Sequence, residues 1–286
     1  MTASLSDVTV LVPARLHDRS VARIEETFRL HRIAKADPAL LDEDMRKSVR
    51  AVASMCVIDA AFIDSLPALE IIANFGVGYD AVDAQHAARR GVMVTNTPDV
   101  LTEEVADTAI GLLLNTLREF GRAENWLRAG NWVLKGPYPL TRGTLRGRRI
   151  GIVGLGRIGQ AIARRLEGFG VSIAYHNRNP VEGVPYAYHP TLLGLAEAVD
   201  TLISVAPGGA ATAKMFNTEV FDALGPEGVF INIGRGSTVD EDALAAALRD
   251  GRIFAAGLDV FADEPHVPVS LLDAPNATLL PHGGSA

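Results

Sequence analysis

Residues 149–166 have the sequence RIGIVGLGRIGQAIARRL, in which an apolar, β-branched run, three glycines spaced G-x-G-x-x-G and a helix-like stretch follow one another. Between a strand and a helix, Gly154 permits a tight turn, Gly156 lets the backbone approach a pyrophosphate, and Gly159 lets the helix pack closely on the strand. The helix N-terminus then faces the phosphates. Chance is the alternative, because 27 of the 286 residues are glycine. The flanking strand and helix favour a dinucleotide-binding turn.

The segment about 20 residues past the glycines distinguishes the two nicotinamide dinucleotides, because an acid there binds the ribose 2′-hydroxyl in NAD sites. Here residues 175–179 are YHNRN. No carboxylate is present to repel a 2′-phosphate, and Arg178, helped by Asn177, is able to pair with one. The sequence therefore favours NADPH, with NADH possible. The alternative is that Arg178 is a solvated surface residue and that the choice of cofactor is relaxed.

Short apolar segments recur on both sides of this motif, at intervals long enough to hold a helix. Some are apolar at almost every position, such as VFINI at 229–233, which is typical of parallel strands covered on both faces. The pattern predicts an α/β protein with two doubly wound, Rossmann-like parallel-sheet domains, 1–97 and 98–286. The predicted strands are 8–13, 49–54, 70–73, 92–95, 149–153, 171–175, 201–205, 229–232, 254–260 and 278–280.

Composition excludes several classes of protein. Hydrophobic residues make up 48% and charged residues 21% of the chain, as in compact soluble proteins. The 27 Lys and Arg against 34 Asp and Glu give a formal net charge of −7, which disfavours binding to nucleic acid or an anionic membrane. The sequence has one cysteine, Cys56, and no Cys/His cluster with metal-binding spacing, so we expect neither a disulfide nor a metal. With no signal peptide evident, we expect a cytoplasmic protein.

Two segments precede the glycine motif. Residues 131–148 contain three glycines and two prolines, which favours an extended arm over a further helix. Before them, apolar residues at helical spacing predict a long helix with one buried side. These residues are Val105, Ala109, Leu112, Leu113, Thr116, Leu117 and Phe120.

Three polar motifs follow predicted strands of the second domain. Arg235 lies in NIGRGS, Glu264 in DVFADEP and His282 in LLPHGGSA. Taken singly, each has an ordinary explanation as a solvated arginine, a turn acid or a loop histidine. Their shared position is more informative, because the carboxyl ends of parallel strands open onto the crevice where doubly wound sheets bind ligands. The placement predicts a single site that contains all three.

Together these motifs resemble the D-2-hydroxyacid dehydrogenase family, and within it the glyoxylate/hydroxypyruvate reductase branch. The resemblance covers nearly the whole chain, in the family's order and spacing. It rests on NFGVGYDAVD (74–83), GVMVTNTPDVLTEEVADTAIGLLL (91–114), GIVGLGRIGQAIARRL (151–166), INIGRGSTVDEDAL (231–244), AAGLDVFADEP (255–265) and LLPHGGSA (279–286).

The resemblance implies a domain arrangement and a set of residue roles. Residues 1–97 would be a substrate-binding domain, separated by a cleft from the dinucleotide-binding domain 98–286, usually in a homodimer. Val77 and Gly78 would offer backbone N–H groups to the substrate carboxylate. Further residues are implied to bind the cofactor: Leu155, Arg157 and Ile158 along the phosphates, Thr212 in the cofactor cleft and Asp259 near the nicotinamide amide.

Reduction of a small 2-oxo acid, the activity that the resemblance implies, requires a hydride, a proton for the carbonyl oxygen and a cation for the carboxylate. The planar, constantly charged Arg235 is suited to both the carboxylate and the carbonyl oxygen. His282 is suited to supply the proton, because imidazole titrates near neutral pH. Glu264 should hydrogen-bond the other ring nitrogen and so set the tautomer and favour the imidazolium.

Two alternatives remain open at this point. The first is a reductase of a bulkier 2-oxo acid such as hydroxyphenylpyruvate, a choice that would depend on Met55, Cys56, Trp132 and Tyr138. The second is a non-catalytic, dinucleotide-sensing binding protein, since the fold alone does not decide function. The presence of the arginine, glutamate and histidine favours an enzyme.

The position of His282 close to Ala286 leads to one more expectation. The resemblance implies a further helical segment that returns to the first domain and completes it. We therefore expect a longer native chain, and we expect His282 in the 286-residue form to lie on a loosely held terminus.

Overall fold

The computed structural model describes residues 4–284. They form two compact units, which meet in the sequence between Val100 and Leu101. Each unit contains one β-sheet in which the paired strands are parallel, so both have the predicted α/β, doubly wound architecture. Among the helices of residues 4–284, none has both the length and the apolar character of a membrane span.

The amino-terminal unit contains a five-stranded sheet with the order β2-β1-β3-β4-β5. Its strands are β1 Thr9–Pro13, β2 Arg29–Ile33, β3 Val49–Ser54, β4 Ile71–Asn74 and β5 Met93–Thr95. Its α-helices are α1 Asp18–Thr27, α2 Glu43–Ser48, α3 Ala60–Asp64 and α4 Ala84–Arg89. The strand order changes direction between β1 and β3, and at such a switch point doubly wound sheets bind ligands at the carboxyl ends of the strands.

Polar side chains cap the helices of this unit. Asp42, Asp59 and Asp83 each accept a hydrogen bond from the backbone N–H three residues later, at 2.8–2.9 Å. His17 caps α1 through its ring, which accepts from the backbone N–H two residues later. Such caps replace hydrogen bonds that the first turn of a helix lacks, and each Asp cap contributes about 1 kcal/mol. The centre of the unit is apolar and fully buried, and includes Leu11, Val49, Val52, Phe62, Ile63 and Ile72.

The carboxyl-terminal unit contains a seven-stranded sheet with the order β12-β11-β10-β9-β6-β7-β8. Its strands are β6 Arg149–Val153, β7 Ser172–His176, β8 Ala187–His189, β9 Thr201–Ser204, β10 Val229–Asn232, β11 Ala255–Leu258 and β12 Ala277–Leu279. Its α-helices are α5 Thr102–Arg118, α6 Phe120–Arg128, α7 Asn131–Lys135, α8 Arg157–Glu167, α9 Leu192–Ala198, α10 Thr218–Leu224, α11 Glu241–Arg249 and α12 Val269–Leu272.

Two apolar clusters cover the faces of this sheet. One contains the buried sides of α5 and α8, and the other contains those of α9, α10 and α11. Strands β9 (TLIS) and β10 (VFIN) are buried at every position, as expected for central strands of a parallel sheet covered on both faces. The order changes direction between β6 and β9, so the glycine turn that follows β6 lies at the switch point of this sheet.

The sequence pattern missed β2 and β8. Both are edge strands of mixed or half-exposed residues, RLHRI and AYH, and each pairs with a single neighbour, β1 or β7. Neither has the apolar run or the strict alternation that predicts a strand from sequence. The long-range pairing, rather than the local sequence, therefore determines that these segments are extended.

The segments before the glycine motif differ from the sequence prediction at two points. Helix α5 buries the predicted stripe as far as Leu117, but it ends at Arg118, because Glu119 has a left-handed φ of 55°. Phe120 is 53% exposed and begins a new helix rather than completing the stripe. The predicted extended arm 131–148 begins with helix α7 and is irregular only afterwards. At Gly143 a Cβ would lie 2.4 Å from the Leu117 carbonyl oxygen, so glycine allows the arm to pack against the end of α5.

Candidate active site

The glycine turn has the geometry that each of its three glycines permits. Gly154 has a φ of 99°, a conformation that other residues rarely adopt. At Gly159 a Cβ would lie 2.2 Å from the Gly154 carbonyl oxygen, so only glycine lets α8 approach β6 this closely. A Cβ at Gly156 would have open space around it: apart from the adjacent residues and its own helix backbone, no heavy atom of residues 4–284 lies within 4 Å. The turn is therefore tightly packed at two glycines and open at the middle one, which suits the approach of a phosphate group.

The start of α8 supports the same role. Gly156 is its N-cap residue and has no side chain to cap the helix, whose first N–H groups lack partners within the helix itself. Leu155 is different, because it is 1% exposed and its N–H donates to Asn177 Oδ1 at 2.6 Å. The Leu155 N–H is therefore already used within the protein, and contact of Leu155 with a cofactor through its remaining atoms stays a prediction. Contacts of Arg157 and Ile158 with the phosphates remain predictions.

Asn177 connects the end of β7 to the glycine turn through this hydrogen bond. Arg178 is the next residue and is exposed, so its pairing with a 2′-phosphate remains a prediction. Thr212 is half-buried, and its hydroxyl lies 2.7 Å from the Pro207 carbonyl oxygen and 3.2 Å from that of Gly209. The Thr212 hydroxyl therefore holds the loop after β9 through two backbone carbonyls. Contact of Thr212 with the cofactor remains a prediction.

Arg235 lies in a loop that buried polar side chains hold in place. The Arg235 carbonyl oxygen accepts hydrogen bonds from Asn232 Nδ2 at 3.0 Å and from Thr238 Oγ1 at 2.7 Å, and both of these residues are fully buried. Its guanidinium Nη1 donates to the Gly234 carbonyl oxygen at 2.8 Å. A Cβ on Gly236 would lie 1.9 Å from the Phe261 carbonyl carbon. Glycine at 236 thus allows the loop of Arg235 to pack directly on the loop that leads to Glu264.

Glu264 and His282 form the hydrogen bond predicted from the sequence. His282 Nδ1 lies 2.6 Å from Glu264 Oε2, and Glu264 Oε1 accepts from the Phe261 N–H at 2.9 Å. The carboxylate is thereby held at both oxygens, and it orients the imidazole. With Nδ1 bonded to the glutamate, Nε2 is the ring nitrogen left for a substrate, and the His282 side chain is 45% exposed.

Asp259 has a positioning role that the sequence analysis missed. Its carboxylate is 2% exposed and accepts from the N–H groups of Gly283 and Gly284 at 2.7 and 2.9 Å, while its carbonyl oxygen accepts from the His282 N–H at 2.8 Å. Burial raises the pKa of this carboxyl group, and the two backbone hydrogen bonds oppose that shift. Three bonds therefore tie the histidine loop to the end of β11, and the expectation of a loosely held His282 is wrong. Contact of Asp259 with a nicotinamide amide remains a prediction.

In the amino-terminal unit, the loop after β4 directs two backbone N–H groups outward. Asn74 Nδ2 donates to the Gly76 carbonyl oxygen at 3.3 Å, and Asn96 Nδ2 donates to that of Val77 at 2.8 Å. The C=O and N–H of a trans peptide point in opposite directions, so holding these two carbonyls turns the N–H groups of Val77 and Gly78 to the other side. Neither N–H donates to an acceptor within residues 4–284.

A buried asparagine, Asn74, and a half-buried one, Asn96, therefore support the carboxylate-binding role predicted for Val77 and Gly78. Asn74 is 5% exposed and also donates to the Gly78 carbonyl oxygen at 2.9 Å. Neither Asn74 nor Asn96 was predicted from the sequence to be a site residue. The available signal was an asparagine at the end of a predicted strand, in ANFG and VTNT, where an amide side chain is able to hold the backbone of the following loop.

The four residues named for substrate selection lie in different units. Met55 and Cys56 follow β3, where Met55 is 54% exposed and Cys56 is half-buried, with its N–H donating to Ser54 Oγ at 3.0 Å. Trp132 and Tyr138 belong to the carboxyl-terminal unit, where Trp132 is 61% exposed and the Tyr138 hydroxyl donates to Glu119. Met55 and Cys56 are therefore neighbours in the amino-terminal unit, and Trp132 and Tyr138 both belong to the carboxyl-terminal unit.

Comparison with known proteins gives consistent results. A family model described as D-isomer specific 2-hydroxyacid dehydrogenase, NAD binding domain, matches residues 110–284. The chain is 43% identical over 284 residues to glyoxylate/hydroxypyruvate reductase A of Arabidopsis thaliana, covering 98% of this chain and 90% of that protein. It is 48% identical over 241 residues to the hydroxyphenylpyruvate reductase of Plectranthus scutellarioides, covering 84% of this chain and 76% of the relative.

A solved structure is also similar. The NADPH-dependent glyoxylate/hydroxypyruvate reductase of Sinorhizobium meliloti, in complex with NADP and malonate, superposes with a TM-score of 0.96 at 59% identity. The match covers 98% of this chain and 88% of that one.

Proposed function

Because this chain belongs to the D-isomer specific 2-hydroxyacid dehydrogenase family, we propose that it reduces small 2-oxo acids, glyoxylate and hydroxypyruvate among them, to 2-hydroxy acids with NADPH. The observation that carries the proposal is the Glu264–His282 hydrogen bond at the carboxyl end of the sheet that also carries the glycine turn. The proton donor and the dinucleotide-binding motif therefore both lie at the carboxyl edge of one sheet. The dinucleotide, when bound, supplies the hydride for the carbonyl carbon.

His282 acts as the general acid in reduction. Its Nδ1–H donates to the Glu264 carboxylate, which orients the ring, so that Nε2 is the nitrogen that gives a proton to the carbonyl oxygen. In the reverse direction the neutral Nε2 accepts the proton of the substrate hydroxyl. Asp259 keeps this histidine in place through the backbone of residues 282–284.

Arg235 and the loop after β4 bind the oxygens of the substrate. The guanidinium fork pairs with the carboxylate and polarises the 2-oxo group, so it acts in both binding and turnover. The outward N–H groups of Val77 and Gly78 donate to the carboxylate. We assign 1–97 as the substrate-binding domain and 98–286 as the dinucleotide-binding domain on this basis.

The test is a substrate panel with both cofactors. Purified protein should oxidise NADPH in the presence of glyoxylate or hydroxypyruvate, and loss of NADPH absorbance measures the rate. Hydroxyphenylpyruvate belongs in the panel because one relative has that name. Absence of oxidation of either cofactor with every 2-oxo acid would exclude the proposed activity.

Replacement of Arg178 by Ala should reduce the preference for NADPH. A charge-assisted contact with the 2′-phosphate is worth about 1.5–3 kcal/mol, which corresponds to about a 10- to 100-fold change in binding. The measurement is the ratio of kcat/KM for NADPH to that for NADH, with NADH as the internal reference. Arg249→Ala, at an exposed arginine on α11, is the matched control and should leave the ratio unchanged. Equal use of both cofactors by the unmutated protein would contradict the assignment.

We also propose that the chain forms a homodimer, as the resemblance implies, and the exposed apolar residues of the arm 131–148 support this proposal. Val133, Leu134 and Leu140 are 92%, 77% and 99% exposed, and Trp132 beside them is 61% exposed. Such a patch favours contact with a second copy of the chain. The double substitution Val133→Glu with Leu140→Glu should therefore shift the protein from dimer to monomer in light scattering after size exclusion.

Val269→Glu is the matched control, because Val269 is 68% exposed on α12 and should not affect assembly. A dimer that persists with both arm substitutions would locate the interface elsewhere. A cytoplasmic location remains a prediction.

A further inference from the structure

The amino-terminal unit has its own pocket at the switch point of its sheet. The pocket has a volume of about 450 Å³, and it lies at the carboxyl ends of β1, β3 and β4. Its lining residues are Arg15, Leu16, His17, Asp18, Met55 and Phe75. This volume is within the range of about 300–1,000 Å³ typical of small-molecule sites. Glyoxylate has no side chain that would occupy it.

A sharp turn after β1 brings the polar residues to this pocket. Ala14 has a φ of 60°, in the left-handed region that is unfavourable for residues with a Cβ. Its N–H donates to the Ile33 carbonyl oxygen at 2.9 Å, which holds the turn. Backbone strain of this kind is common at ligand sites, where surrounding contacts maintain it. The chain is thereby redirected so that Arg15 and His17 line the pocket.

Arg15 brings a positive charge to the pocket. Among residues 4–284, no side chain or carbonyl forms a hydrogen bond, ion pair or ring contact with its guanidinium, which is exposed. Asp18 is the acid in the lining, but it is the first residue of α1, where the helix N-terminus favours its charge. The guanidinium fork is therefore left to pair with a planar anion from solution.

His17 adds a donor with a defined orientation. Its Nδ1 accepts from the Arg19 N–H at 3.3 Å, so a neutral ring carries its proton on Nε2. The ring is stacked parallel to Phe75, with centroids 6.3 Å apart and 10° between the planes. Leu16, Met55 and Phe75 supply apolar surface between the polar groups. The pocket thus combines two donors with a lining that suits methylene groups.

We propose that this pocket binds a second carboxylate of the substrate, so that the enzyme also reduces 2-oxo dicarboxylic acids. The inference rests on the proposed function, because it assumes that the 2-oxo acid end binds at Val77 and Gly78. Phe75 lies two residues before Val77, and its N–H donates to the Ser54 carbonyl oxygen at 2.8 Å, next to Met55. Phe75, which lines the pocket, and the predicted carboxylate-binding residues therefore belong to the same loop after β4.

The experiment compares substrates of equal length. The value of kcat/KM should be about 10- to 100-fold higher for 2-oxoglutarate than for 2-oxopentanoate, which has the same five carbons without the second carboxylate. Arg15→Gln should reduce this ratio to about one, and Arg15→Lys should retain part of it. Arg19→Gln, at an exposed arginine on α1 outside the pocket, is the matched control and should keep the ratio.

His17→Asn tests the second donor. Asparagine also caps helices, so α1 is preserved while the Nε2–H group is lost. The ratio should fall by about 2- to 10-fold, the contribution of a hydrogen bond from a neutral donor. Thermal unfolding of both variants checks that the fold is retained.

The outcomes separate failure of the carboxylate subsite from failure of the proposed 2-oxo acid reductase activity. A wild-type ratio of one or less, with glyoxylate still reduced, would overturn the subsite and leave the proposed function intact. An equal gain with 5-hydroxy-2-oxopentanoate would overturn the carboxylate assignment in favour of a hydroxyl site. Failure to reduce any 2-oxo acid would overturn the proposed function and the subsite together. Retention of the ratio by Arg15→Gln would exclude Arg15 as the carboxylate ligand.

Discussion

His282→Asn should lower kcat with glyoxylate and NADPH by about 10²- to 10⁴-fold, the usual contribution of a general acid. Asparagine has no proton to give at neutral pH, so the carbonyl oxygen must be protonated by water. The substitution suits the backbone, because His282 has a φ of 52° and asparagine tolerates the left-handed region. The measurement is steady-state kcat together with the thermal midpoint, which should remain close to that of the wild type.

A control histidine lies nearby. His266 is exposed in the loop that follows Glu264, and His266→Asn should leave kcat unchanged. Turnover of purified His282→Asn at the wild-type rate would rule out the acid–base assignment. A loss of the same size in His266→Asn would point to a general effect on this loop rather than to proton transfer.

Arg235→Ala should impair substrate binding and turnover together, since one guanidinium both pairs with the carboxylate and polarises the carbonyl. Removing one partner of such a charge pair costs about 2–5 kcal/mol, which corresponds to about a 30- to 4,000-fold loss in kcat/KM. The main chain should stay in place, because Asn232 and Thr238 hold the Arg235 carbonyl independently of its side chain. Steady-state kinetics should therefore show a higher KM and a lower kcat in the same variant.

Two further variants test whether the loss in Arg235→Ala comes from the guanidinium of Arg235. Arg235→Lys retains the charge without the planar fork, so it should recover part of the binding and less of the turnover. Arg249→Ala removes an exposed arginine from α11 and should match the wild type. A rise in KM with unchanged kcat would show that Arg235 contributes only to ground-state binding.

Much of the dinucleotide-binding turn was predictable because its determinants are local. The three glycines act through φ and through contacts with residues close in sequence, as the positive φ of Gly154 and the approach of Gly159 to Gly154 show. The positions of Glu264 and His282 were predictable for a related reason. Each follows a strand of a parallel sheet, and such strands bring their carboxyl ends to one edge.

The groups that hold the catalytic residues were harder to predict. Asp259 bonds the backbone of residues 282–284, and Gly236 packs against the backbone of Phe261. Both are contacts between segments about 25 residues apart, and side-chain type does not reveal them. Edge strands β2 and β8 were missed on similar grounds, since pairing with a neighbouring strand determines their conformation.

The sequence by itself determined the α/β architecture, the glycine turn and the identity of the arginine, glutamate and histidine, because periodicity and motif spacing are properties of the chain. Only the tertiary structure decided which backbone groups face outward at Val77 and Gly78, and that the left-handed Ala14 turns Arg15 toward a pocket. The physical reason is that those features depend on hydrogen bonds from Asn74, Asn96 and the Ile33 carbonyl, whose partners meet only when the sheet has formed.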